Sequence, residues 1–216
     1  MSTFPFLSRL NAQDPKTNPM EIQLPKKIKH HFQEPYITER LGYTFFQYIQ
    51  QLNQDFSRPI VIVSIGTDRS TGDSLGPLVG TKLAAMEHEM HIFGTLDDPV
   101  HATNLSAKLD LINEKYFKPL IVAVDASLGG SESVGLITLS QGALKPGTGV
   151  NKNLQEVGDM NFTGIVNVGG YMEYLVLQNT RLGIVWKMAE SIAQSIFRGY
   201  QLAHSYFVNH LVQSTQ

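Results

Sequence analysis

Ile60-Val61-Ile62-Val63-Ser64-Ile65-Gly66-Thr67-Asp68-Arg69-Ser70-Thr71-Gly72-Asp73-Ser74-Leu75-Gly76-Pro77 is the stretch that decides the fold. Residues 60–65 form a near-continuous β-branched run, the pattern of a strand buried on both faces of a parallel sheet. Gly66 ends it. Leu75, Leu78, Val79, Leu83 and Met86 then recur at helical spacing, which predicts a helix from Leu75 to Glu89 with Pro77 in its first turn. Strand, Gly-rich loop and helix together make the first half of a βαβ unit. The run Pro119-Leu120-Ile121-Val122-Ala123-Val124 repeats the buried-strand pattern and passes directly into Asp125-Ala126-Ser127. Strands 60–65 and 120–124 are therefore expected to be parallel neighbours.

The elements around them complete the pattern. Leu41, Phe45, Tyr48, Ile49 and Leu52 predict a helix over 38–54, His91 to Gly94 a short strand, and Asn104 to Tyr116 an amphipathic helix. Val134 to Ser140 alternates apolar and polar residues, as an edge strand would, and Val157 to Val168 is apolar and punctuated by Gly. Helices are expected near 171–178 and over Leu182 to Val212, with Gly199 as a kink or break in the second. This order predicts an α/β protein with a three-layer, doubly wound, mostly parallel sheet. Five of the ten prolines fall within the first 35 residues, which predicts an extended N-terminal arm over 1–35 and a single α/β domain over 36–216. Phe4, Phe6 and Leu7 are the residues that would seat the arm in a groove. The run Lys26-Lys27-Ile28-Lys29-His30-His31 is expected to be a solvated patch, with contact to an anionic partner as the alternative.

Composition narrows the functions. The 216 residues carry 17 Lys and Arg against 19 Asp and Glu, a net charge of −2, without the basic excess of a nucleic-acid binder. With no Cys there is no disulfide, thiolate metal site or Cys nucleophile. No apolar run is long enough for a membrane span, and no signal peptide is visible, so a cytoplasmic protein is expected. Only 17% of residues are charged, which points to extra buried surface in the core or between subunits.

Sites in open α/β sheets form at the carboxyl ends of strands, and two such ends here carry acids. The Gly-rich loop is not a phosphate cradle. Five residues separate Gly66 from Gly72, and Asp73 stands where a P-loop has its Lys. No Gly-x-Gly-x-x-Gly occurs either. Asp73 can be an N-cap or a functional acid. Asp125, following an apolar strand, sits where an unpaired charge is costly. Two acids on neighbouring strand ends push their titrations apart, leaving one protonated and one ionised. Such a pair can activate water and protonate a leaving amine, which is peptide hydrolysis.

At these two motifs the chain resembles the germination protease of endospore-forming bacteria and a shorter sporulation-protein family related to it. The hydrogenase maturation endopeptidases share both acidic stations and the fold, described as hydrogenase maturation protease/phosphorylase-like. The resemblance spans 58–200 and implies catalytic roles for Asp73 and Asp125. It also implies a protein substrate, small acid-soluble spore proteins among them, and a setting within the spore or forespore. Maturation endopeptidases add a His after the later strands to hold a metal, but 163–170 contains no His. A metal-free mechanism without cofactors is therefore expected, with a metal-dependent maturation-type endopeptidase and a non-catalytic binding protein as alternatives. Arg69 can orient a substrate carbonyl or pair with Asp68, and the pairing is the simpler expectation. Asp97 and Asp98 are further candidates for lining the substrate crevice, or else a helix-start cluster before Asn104. His101 is expected to be a surface histidine. The charge-poor 182–212 helix, with Trp186, Phe197, Tyr200, Tyr206 and Phe207, predicts a homodimer through the helices after Gly170.

Overall fold

The computed structural model describes residues 24–146 and 155–214. The elements in chain order are β1 (Lys27–His31), α1 (Ile37–Leu52), β2 (Ile60–Ser64), α2 (Leu75–Ala84), β3 (His91–Phe93), α3 (Leu105–Lys115), β4 (Leu120–Gly129), β5 (Leu136–Gln141), β6 (Met160–Val168), α4 (Glu173–Gln178) and α5 (Leu182–Ser214). Short 3-10 turns at Gly72–Ser74 and Ser131–Ser133 precede α2 and β5.

One six-stranded sheet runs in the order β1-β5-β6-β4-β2-β3. β3, β2, β4 and β6 are parallel, and β5 runs against both β6 and β1. The expected neighbours pair directly, from Ile60↔Leu120 to Ser64↔Val124. Successive side chains on a strand face opposite ways, so each buried strand feeds two cores. Ile60, Ile62, Leu120, Val122, Val124 and Phe162 pack under α1, α2 and α5. Val61, Val63, Ile65 and Ala123 pack on the opposite face with Leu105, Leu109 and Ile112 of α3. The fold is therefore the three-layer, doubly wound α/β class that the alternating elements imply.

Several expectations change. Residues 27–31, assigned to an extended arm, are a strand paired with β5, from Lys27↔Ser140 to His31↔Leu136. The basic run is therefore an edge strand with exposed Lys27 and Lys29, a placement that discourages further strands from adding. β5 is correspondingly interior rather than an edge. Phe4, Phe6 and Leu7 lie outside the described residues. α2 stops at Ala84, five residues before Glu89.

Gly199 does not interrupt α5, which is continuous from Leu182 to Ser214. Its role is close approach. A Cβ on Gly199 would meet Phe45 Cδ1 at 2.7 Å and the Gly42 carbonyl of α1, while one on Gly42 would meet the Ser195 carbonyl at 3.1 Å. α1 thus covers the second face of α5, and Tyr200 and Phe207 are buried there together with Ile192 and Ile196. Trp186 remains about half exposed.

Candidate active site

The carboxyl edge of β2 is built by hydrogen bonds reaching both ways. Ile65 N–H donates to the Val124 carbonyl of β4 (2.7 Å), and Gly66 N–H donates to Val100 beyond β3 (2.8 Å). Ile65 also bridges Val100 in parallel fashion. The chain then turns sharply at Gly66, whose φ of 144° suits only glycine, and whose missing Cβ makes room for the Asp73 carbonyl. Thr67 N–H returns to that carbonyl at 3.1 Å, so the loop folds back over the strand end. Gly76 completes the packing. A Cβ there would fall 2.7 Å from the Ile65 carbonyl carbon, so the start of α2 presses directly on the end of β2.

Asp73 lies in the 3-10 turn between this loop and α2, and it does not cap the helix. The N-cap position is Ser74, which makes no side-chain cap bond and instead donates from Oγ to the Thr71 carbonyl (2.7 Å). The turn lies against β4, α4 and α5, so Asp73 is largely desolvated. Burial pushes its carboxyl above the ordinary carboxylate range, opposed by the Thr67 N–H and by the His101 imidazole.

Asp125 is 7% exposed and stands opposite Thr163 of β6, with its Oδ1 accepting the Ala126 N–H at 2.9 Å. It was expected at a strand end, but β4 continues to Gly129. β2 pairs with β4 only as far as Val124 and then turns away, whereas the β4–β6 pairing continues to Gly129. Asp125 is thus the first β4 residue beyond the β2 partner. The structure brings the Asp73 turn and the Asp125 strand into contact on this edge.

The outer candidates divide. Asp68 and Arg69 are exposed on the loop crest, and among the described residues they form no ion pair with each other. Asp97 and Asp98 are exposed in the turn after β3. Asp98 is held by Lys108 of α3 (2.7 Å), which anchors that helix rather than starting it. Asn104 organises the start of α3, accepting the His101 N–H at 2.8 Å and donating to the Pro99 carbonyl at 3.0 Å.

His101 is the residue whose placement the sequence analysis missed. It is half-buried beside the β2 edge, close enough to Asp73 to act on its charge. Its only sequence signal was the apolar Val100 before it, which joins the sheet edge. A maturation-type metal centre needs a third ligand with Asp73 and Asp125. Among the described residues no three His, Cys, Asp or Glu side chains converge as metal ligands would, so the residues do not fit such a centre.

Fold and edge together define an α/β protein with acids placed near the carboxyl ends of its parallel strands. The chain belongs to the family described as "Protein of unknown function (DUF1256)", whose model matches residues 27–195, from β1 into α5. It is 54% identical over 146 residues to "Uncharacterized protein YyaC" of Bacillus subtilis (strain 168), covering 67% of this chain and 71% of that protein. Among solved structures it is similar to the [NiFe] hydrogenase maturation protease HycI from Thermococcus kodakarensis KOD1. That match has a TM-score of 0.42 and 20% identity, and covers 68% of this chain and 99% of the other. No helix among the described residues is long and apolar enough to cross a membrane.

Proposed function

We propose that this protein is a peptidase in which Asp73 and Asp125 act as a pair on a polypeptide substrate. The observation that carries the proposal is the contact between the 3-10 turn that holds Asp73 and strand β4, which holds buried Asp125, where β2 leaves β4. The ionised carboxyl takes a proton from a water whose oxygen bonds to the scissile carbonyl carbon. The C–N bond then breaks, and the protonated carboxyl gives its proton to the departing amine. The motif resemblance described above supports a sporulation setting, with small acid-soluble spore proteins as the substrate class. The test is incubation of purified protein with such a substrate, with cleavage sites read by mass spectrometry. Asp73→Asn and Asp125→Asn should each reduce the rate by roughly 10²–10⁴-fold while remaining folded. Full activity in either variant would refute the pair.

A second reading, in which the crevice binds a protein without cutting it, has one observation in its favour. Tyr171, Met172 and Tyr174 are 89%, 61% and 61% exposed on and just before α4, which packs against the Asp73 turn. Inactivity of the parent protein, with retained binding of the same substrate, would select this alternative.

A further inference from the structure

We propose that the polypeptide substrate binds as an added strand along the edge of β4 that β2 leaves unpaired, held through its main chain by Ala126 and Leu128. The identity of the bound chain rests on the peptidase reading, whereas the unpaired edge does not.

Strand lengths create this edge. Pairing of β4 with β2 stops at Val124, while pairing with β6 runs on to Gly129, so residues 125–129 are flanked on one side only. In a parallel ladder the N–H and C=O of one residue point to the same neighbour, and those of the next residue point to the other. Val124 faces β2, its carbonyl accepting Ile65 N–H (2.7 Å), and Gly129 faces β6, its carbonyl accepting Gly169 N–H (2.8 Å). Ala126 and Leu128 therefore face the side that β2 has left. Among the described residues neither has a strand, bridge or turn partner there. Ala126 N–H is drawn aside to Asp125 Oδ1 (2.9 Å), which leaves the Ala126 carbonyl and both backbone groups of Leu128 to be satisfied. Both residues are partly exposed. The 3-10 turn that holds Asp73 contacts β4 without bonding to these groups.

The occupant that fits is an extended polypeptide. Backbone groups recurring at every second residue, about 6.6 Å apart, match the repeat of another strand. Edges that must stay unpaired are usually blunted with Lys or Pro, and β1 follows that rule with exposed Lys27 and Lys29. Residues 126–129 read Ala-Ser-Leu-Gly, with no charge and no Pro to repel an incoming strand. The edge is also held in place, because β6 pairs with it from Asp125 to Gly129. Main-chain pairing of this kind supplies affinity for chains of varied sequence. Asp125 stands at the head of the edge, bonded to its first N–H, so a strand added along 126–128 brings one of its peptide bonds beside that carboxyl.

The test follows amide exchange by NMR in 15N-labelled full-length protein carrying Asp73→Asn, chosen so that the substrate is not consumed, with and without an excess of unlabelled small acid-soluble spore protein. Leu128 N–H should exchange roughly tenfold more slowly in the complex, while Ser127 and Gly129, already paired with β6, change little. Incubation of the parent protein with the same substrate reads cleavage in parallel. Protection of Leu128 without cleavage by the parent upholds the added strand and refutes the peptidase reading. Cleavage with Leu128 exchange unchanged upholds the peptidase reading and overturns the added strand. Absence of both protection and cleavage overturns the two together. Protection that grows with protein concentration, with no substrate present, assigns the edge to a second copy of this chain and also overturns the proposal.

Discussion

Gly76→Ala should destabilise the protein and disable its site together. The added Cβ would lie 2.7 Å from the Ile65 carbonyl carbon and 2.8 Å from its amide nitrogen, where ordinary contact begins at 3.4 Å. α2 must therefore withdraw from β2 by at least 3.4 − 2.7 = 0.7 Å, and by more at the carbonyl oxygen. Both sides of this contact are backbone, so no side chain can swing away. Overpacking of that kind costs about 1–3 kcal/mol, and here the upper end applies. The better helix propensity of Ala returns about 1 kcal/mol. The net loss is about 2 kcal/mol, which for a chain of this size lowers Tm by roughly 4–8 °C. Because Asp73 is three residues upstream on the same rigid turn, displacement approaching 1 Å should also cost roughly 10²-fold in hydrolysis. Gly183→Ala is the control. Gly183 is exposed in the first turn of α5 with nothing within 4 Å of an added Cβ, and its substitution should stabilise by up to about 1 kcal/mol. Thermal unfolding of the two variants followed by circular dichroism decides the matter. Equal Tm values would show that α2 does not press on the end of β2 as described.

Asp73→Asn should stabilise the fold at neutral pH and scarcely alter it in acid. Burial raises the Asp73 carboxyl above its unfolded value, so stability is undiminished below the ordinary carboxylate range and declines as pH rises through the folded value. Urea unfolding at both pH values checks the sign, and a variant less stable than the parent at neutral pH would contradict it. Arg58 donates to the Leu52, Lys118 and Pro119 carbonyls and to Asp159, joining the end of α1 to β4 and β6, so Arg58→Ala should cost about 2–3 kcal/mol by denaturant melts. With α1 covering one face of α5, the exposed Tyr171, Tyr174, Leu182 and Trp186 of the α4–α5 region are the residues expected to enter a twofold dimer, which needs about 800 Å² per partner. Light scattering should report twice the 24.0 kDa chain mass, and a monomer at micromolar concentration would end that expectation.

The parallel core was legible in the sequence because it is written in short-range pattern. A β-branched run says that a strand is buried on both faces. Ile60–Ser64 and Leu120–Val124 pair as those patterns imply. What required the tertiary structure was everything decided by a distant partner. Lys27–His31 has the composition of a solvated patch and becomes a strand only because β5, more than a hundred residues later, offers an edge to complete. Gly199 resembles a helix break until Gly42 of α1 is placed against it, when the absence of a side chain becomes a requirement of packing. The depth of Asp125 within β4 depends on β2 turning away while β6 continues, a difference in strand length that no local pattern carries. His101 shows the same dependence, since only the bridge between Val100 and Ile65 brings its loop to the head of β2. Periodicity specifies which face of an element is apolar, but long-range hydrogen bonds and close backbone contacts decide which elements share an edge, and therefore which residues come together there.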